Sequence, residues 1–400
     1  MTRPPPPTDD PAAMAPPQPR PPRRAGPRAG LLVLAVAIVG ALALVGLGVA
    51  TLGLGPSPTP RPPAFVLGER TPGYLVSVEE LRDRAALAAD GVEPYAEAVA
   101  DLLVFADRAV QRDPEPEDPL DINGTEAPFV DDTAAAYGLG LAYVVTGEAR
   151  YAEAAARYIL GWVETTGSTR DACPDRGSCQ TSLIVGRTAP GFVFAADLIA
   201  GSGALDAAET AAFRTWLATV ILPTASTLEN NWGDAGAFTA VVLTDYLGDR
   251  PGLDAALERW RVQADRIAAD GHIPEETRRG SAGISYTQES LQYRVAVARI
   301  GDRYGLDLWG FRADGGATLA EAIDYLASYW SRPEAWPWDP DASVPSTGPF
   351  WEIAYAHAPT AAYEPIILDR RPYGQQGHSA LRWTTLTNGV PLEGASLSGG

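Results

Sequence analysis

The chain has 400 residues and a formal net charge of −19, with 50 Asp and Glu against 31 basic side chains, every one of them Arg. This balance excludes a nucleic-acid partner, because phosphate is bound by a positive surface. It leaves room for an anionic substrate held by a few local Arg residues. With the N-terminal part set aside as non-globular, roughly 320 residues remain to fold, enough for one sizeable core.

Residues 1–29 are crowded with Pro and Arg and have little to bury, so they read as a disordered cytoplasmic tail. No clean repeated pattern in them marks a ligand for a Pro-reading domain. Residues 30–55 carry no charged side chain and are almost wholly apolar. That is longer than the ~20 residues a helix needs to cross a bilayer and longer than the ~7–15 of a cleaved secretory signal. The stretch therefore predicts one transmembrane helix, a signal anchor. Arg20, Arg23, Arg24 and Arg28 precede it and no basic residue follows until Arg61. The positive-inside rule then leaves the N-terminus in the cytoplasm and the bulk of a single-pass cell-membrane protein outside. Residues 56–75, opening on a Pro-rich stiff spacer, form a linker, and residues 76–400 the folded domain.

Within that domain, residues 94–110, 134–145, 151–163, 207–220, 253–269 and 319–330 repeat apolar side chains at three- and four-residue steps. Each predicts a helix with one buried face, and no convincing strand alternation appears. Gly-containing junctions at 146–148, 201–203, 247–249 and 300–302 recur at intervals of about 50 residues, two helices plus connections per repeat. The expected fold class is all-α, an (α/α) toroid of helical hairpins preceded by a single transmembrane helix. Long connections at 113–128, 166–187 and 271–285 favour a ring over an open solenoid, because loops at one end of a ring can build a cleft. Residues 373–400 read as a short irregular or β-containing piece. Cys173 and Cys179, the two cysteines, share one polar loop outside the membrane, where a disulfide persists. A small closed disulfide loop is favoured over a redox pair or a metal site. No His or Cys cluster has ligand spacing, so no metal and no cofactor is expected.

One stretch concentrates chemistry. It runs from Asn230-Asn231-Trp232-Gly233 through Asp270-Gly271-His272-Ile273-Pro274-Glu275-Glu276 to Arg278-Arg279 and then Tyr286, seven residues after Arg279. In order and spacing it resembles the alginate lyase family of polysaccharide lyases. The resemblance extends upstream to Asp131-Asp132, Ala142-Tyr143, Thr146-Gly147-Glu148 and Tyr151-Ala152. It implies an α/α toroid that cleaves polyuronates by β-elimination.

That reaction removes the proton beside the sugar carboxylate, so it requires a neutralised carboxylate, a base, and a proton for the leaving oxygen. The implied roles are Arg279 and Asn231 against the carboxylate and Tyr286 as base and acid. Asn230, Trp232, Arg278 and His272 would bind substrate. A phenol of ordinary pKa, about 10, works near neutrality only if its phenolate gains about 3–4 kcal/mol. One guanidinium at ~4 Å supplies that at an effective dielectric near 20. Ser285-Tyr286-Thr287-Gln288 reads as a capping box, which would add the positive end of a helix dipole.

Plainer readings accompany each residue. Asn230 or Asn231 could only cap the following helix, Arg278 and Arg279 could be a solvated pair, and Tyr286 alone could be packing. Trp232 stands where alginate lyases commonly have His, and an indole exchanges no proton at neutral pH. The histidines are His272, His357 and His378. His357, in Trp351-Glu352-Ile353-Ala354-Tyr355-Ala356-His357, is the candidate replacement. Two other functions stay open. One is an α/α-toroid glycoside hydrolase using carboxylates among Asp131, Asp132, Asp234, Glu275 and Glu276. The other is a non-catalytic, surface-anchored polysaccharide-binding protein.

Overall fold

The computed structural model describes residues 65–122, 127–170 and 180–392. The expected tail and transmembrane helix, the first part of the linker (56–64), and Cys173 with Cys179 lie outside the described residues, as do residues 393–400. Residues 63–400 form one compact unit. The first helices in chain order are α1 (Val78–Ala89), α2 (Tyr95–Val110), α3 (Pro128–Thr146), α4 (Ala149–Thr165) and α5 (Thr181–Thr188). Next come α6 (Pro190–Ile199), α7 (Ala207–Trp216), α8 (Asn231–Leu247), α9 (Arg250–Ala264) and α10 (Pro274–Thr277). The last are α11 (Gly283–Asp302), α12 (Leu319–Trp330), α13 (Phe350–His357), α14 (Glu364–Leu368) and α15 (Thr384–Asn388). No strand occurs among the described residues beyond one isolated parallel bridge, Leu120 to Thr169. Of the two readings of the C-terminal piece the irregular one holds and the β-containing one does not: residues 373–392 are irregular apart from α15.

The helices fall into two rows. In α3, α5, α6, α8 and α11 nearly every residue is buried, whatever side it faces. The amphipathic helices α2, α9 and α12 bury one stripe each, such as Leu319, Ala322, Ile323 and Leu326. The inner row packs on the outer one, α3 on α4 and α8 on α9, and on its own neighbours, α5 on α8 and α8 on α11. From α11 the ring passes through α13 to α15, which returns to α1 and α2.

Two local features fix the inner row near the site. The run Thr181–Ile199 is long and apolar enough to cross a membrane, but 94 % of its most apolar window is buried inside the protein, which marks it as core. Pro190 interrupts it and has no N–H for the carbonyl of Gly186. The Thr239 hydroxyl, from α8, donates to that carbonyl instead, at 2.7 Å, so the kink leaves no buried acceptor unpaired. At the head of α8, a Cβ on Gly233 would lie 1.7 Å from the Leu228 carbonyl oxygen, and one on Gly236 2.0 Å from that of Ser226. These glycines let the incoming strand of chain lie directly on the helix backbone.

Candidate active site

Two helix heads build the site. Asn230 caps α8, its Oδ1 accepting from the Trp232 backbone N–H at 3.1 Å. Asn231 follows as the first helical residue and is buried. Facing it, the short helix α10 and the turn at Gly280, which has φ +61°, carry the chain into α11. Glu276, wholly buried on α10, joins the two heads. Its Oε1 accepts from the Asn231 backbone N–H at 2.7 Å and its Oε2 from Arg279 Nε at 3.0 Å. Arg279 Nη2 reaches Asn231 Oδ1 at 3.5 Å. The guanidinium lies 3.9 Å from the centroid of the Tyr286 ring, a cation over an aromatic face. Asn231, Arg279 and Tyr286 are thus brought together. Asn231 turns its oxygen to the guanidinium, so its amide nitrogen is the end left for another acceptor.

Beneath this group a buried ion pair sets the register of the two helices. Asp234, one turn into α8, accepts from Arg294 of α11 at 3.0 Å and from the Ser290 hydroxyl at 2.6 Å. On the far side of Tyr286, Arg187 pairs with Glu289 at 2.9 Å.

The electrostatics differ from expectation. Burial pushes the Tyr286 phenol above its ordinary value; Arg279 and Arg187 pull it down, but Glu276 and Glu289 oppose them. The phenol is therefore not lowered as the sequence suggested: burial outweighs the two arginines, each of which already has a carboxylate partner. The capping box is also corrected: α11 begins at Gly283 behind Ala282, without a side-chain cap. A 3-10 turn at Gly280–Ala282 runs straight into the helix, so Ser285 is already helical. Tyr286 still sits in the first turn.

The remaining candidates stand apart. Trp232 is half-buried and packs against the core. Arg278 is exposed on the solvent side of the turn. His272 is pinned by Asp270 at 2.5 Å and packs on Trp338 and Tyr325, with ring centroids 4.7 Å and 6.2 Å away. His357 cannot stand in for a histidine beside Tyr286. It is exposed and stacks on Trp309 at 4.0 Å, and Trp309 donates to Asp302 at the far end of α11. Sixteen residues of helix separate Asp302 from Tyr286, roughly 24 Å.

Sequence reading passed over Arg187 and Glu289. The signal for Arg187 was present: a lone Arg within the apolar run 181–199, a place where a charge needs a reason. The hydrolase carboxylates are all committed elsewhere except Asp131 in the first turn of α3. Asp132 accepts from Trp162 and from the Glu115 backbone N–H, and Glu275 pairs with Arg266.

Comparison with known proteins completes the picture. The family model for alginate lyase matches residues 88–336. No curated protein matches the chain. An alginate lyase from Bacteroides ovatus superposes with a TM-score of 0.61 at 18 % identity, covering 82 % of this chain and all of that one. Alginate lyase A1-III from Sphingomonas species A1 gives 0.66 at 17 % identity, covering 82 % of this chain and 98 % of that one. A tyrosine-to-phenylalanine variant of A1-III complexed with a tetrasaccharide gives 0.63 at 16 % identity, covering 79 % of this chain and 95 % of that one. At such identities these likenesses speak for the fold, an α/α toroid. The family model, spanning well over half of the chain, carries the assignment: this protein belongs to the alginate lyase family and is a polysaccharide lyase.

Proposed function

We propose that the chain cleaves an anionic polyuronate, alginate-like or glucuronan-like, by β-elimination at the outer cell surface, tethered there by residues 30–55. The observation that carries the reading is the stacking of Arg279 on Tyr286 beside Asn231, which gathers charge neutralisation and proton transfer around one sugar. The tetrasaccharide bound by a structural neighbour supports a saccharide in this cleft.

In this mechanism Arg279 and the Asn231 amide hold the sugar carboxylate and spread the charge that develops when the adjacent C–H bond breaks. The Tyr286 phenolate takes that proton. The electron pair forms the new C=C bond and expels the glycosidic oxygen, which recovers the proton from Tyr286. The phenolate is regenerated, and the products are one unsaturated uronate end and one new hydroxyl. Burial holds the phenol above its ordinary value, so formation of the phenolate depends on relieving Arg279 of Glu276. That carboxyl is itself pushed up to about 7 by burial and gives up its charge near neutrality.

The test is the full-length chain with alginate and glucuronan, read by unsaturated-uronate ultraviolet absorbance. Tyr286→Phe is expected to lower turnover at least ~100-fold while polymer affinity persists. Near-normal turnover would remove Tyr286 from this role. Polymer binding with neither absorbance nor new reducing ends would overturn this reading.

A further inference from the structure

Among the described residues a single Phe, Tyr or Trp side chain is exposed: Trp338, at 42 %. It is held in place from several sides. Its Nε1 donates to the Tyr325 hydroxyl at 3.3 Å, and the His272 ring lies 4.7 Å away, itself fixed by Asp270 at 2.5 Å. Behind it the buried Trp336 packs edge-on against Tyr325 and Tyr329, at 5.9 Å and 5.1 Å. Pro337 and Pro340 stiffen the backbone around the indole. Gly271, with φ +95°, lets the His272 loop press on α12, where a Cβ would lie 2.8 Å from the Glu321 carbonyl oxygen. An aromatic face fixed in this way loses little conformational entropy when a ligand stacks on it.

The group stands outside the cleft but at the same end of the ring. A Cβ on Gly280 would lie 3.1 Å from Asp339 Oδ2, so the Trp338 loop rests on the turn that follows Arg279. Trp338 also lies just past residues 88–336, the part matched by the family model. The charge around it is of the wrong sign for a uronate. Residues 333–341 carry Glu334, Asp339 and Asp341 and no cation, and the Asp270 side chain is 62 % exposed. Of the nearest arginines in sequence, Arg332 turns back to the Ser328 carbonyl at 3.1 Å and Arg278 stands on the far side of the Gly280 turn. Carboxylates repel a polyanion but accept hydrogen bonds from sugar hydroxyls, and an indole face takes the C–H face of a pyranose.

We infer that Trp338, backed by Tyr325 and His272, is a binding surface for a neutral pyranose chain, whose hydroxyls donate to the exposed Asp270 and Asp341. The surface is separate from the polyuronate cleft, and the inference does not depend on which bond is cut there. Its consequence is a second polysaccharide partner: the protein holds a neutral polymer at the rim of the ring while the cleft takes an acidic one.

The test is calorimetric titration of the full-length chain with linear hexasaccharides of glucose, mannose and xylose. At least one is expected to bind, and Trp338→Ala to weaken it about tenfold while polyuronate turnover and melting temperature stay at their wild-type values. Trp338→Tyr keeps a ring face and is expected to restore most of the affinity, which separates stacking from damage to the fold. Absence of binding to all three neutral hexasaccharides overturns the inference, as does binding undiminished in Trp338→Ala or unrestored in Trp338→Tyr. A raised KM for polyuronate in Trp338→Ala, with neutral binding unchanged, assigns the surface to the acidic polymer and overturns it as well.

Discussion

Glu276 accepts two hydrogen bonds and still sits in an unfavourable place for a charge. Burial outweighs Arg279 and the Asn231 N–H and raises its carboxyl from 4.5 to about 7. The folded chain therefore binds this proton more tightly than the unfolded chain does. Stability from it is fully present below pH 4.5 and is lost as pH rises through about 7. Glu276→Gln titrates nothing there, so between pH 5 and pH 8 the wild-type chain is expected to lose up to about 3 kcal/mol relative to the variant. Urea melts of both at the two pH values measure it, and parallel pH slopes would exonerate Glu276. Asn231, Arg279 and Tyr286 were legible in the sequence because their chemistry and spacing are recorded there. The state of the phenol was not, since it depends on burial and on Glu289, a partner only the fold brings near. His357 failed for the same kind of reason: nothing linear says that it lies at the opposite end of α11 from Tyr286.

The two helix heads keep their alignment through Asp234 and Arg294, one turn below Asn231 and two turns past Tyr286. Arg294→Met leaves Asp234 charged and unpaired in the core, and the expected loss is about 3–5 kcal/mol, read by denaturant unfolding. A loss below about 1 kcal/mol would show that Ser290 and water suffice for Asp234. Outer helices were the easier part of the fold to read, and residues 319–330 coincide with α12, because a one-sided stripe has a period. Inner helices show less of one: α5 and α6 are buried nearly all round, so residues 166–187 looked like a connection although α5 starts at Thr181. The third expected connection, 271–285, holds α10, a 3-10 turn and the head of α11, pieces too short to show periodicity. Residues 207–220 are helical but change from α to a wider π turn at Leu217.

Closure of the ring depends on its last helix. Arg84 of α1 donates to the carbonyls of Leu386 and Thr387, the Tyr95 hydroxyl to that of Gly389, and Arg299 of α11 to Asn388. Trp383 packs on Phe105 and Tyr137, at centroid distances of 5.1 Å and 5.6 Å. Residues 88–336, though they match the family model, are therefore expected not to form a cooperative domain alone, since Trp383, Leu386 and Trp351 would be missing from one continuous core. A single sharp thermal transition of that fragment by circular dichroism would refute this. The toroid as a class was readable from its repeating hairpins; the latch was not, because α15 is five residues long and carries no pattern.

That latch joins residues 303 positions apart in sequence, and this has a consequence for how the protein is made. A ribosome delivers α3, α5, α6 and α8 long before α15 exists. Each is buried on nearly every side in the finished ring, and contacts so distant in sequence form late. A nascent half-ring thus shows its stickiest helices for most of its synthesis. The hazard for this molecule lies in the interval before the circle shuts.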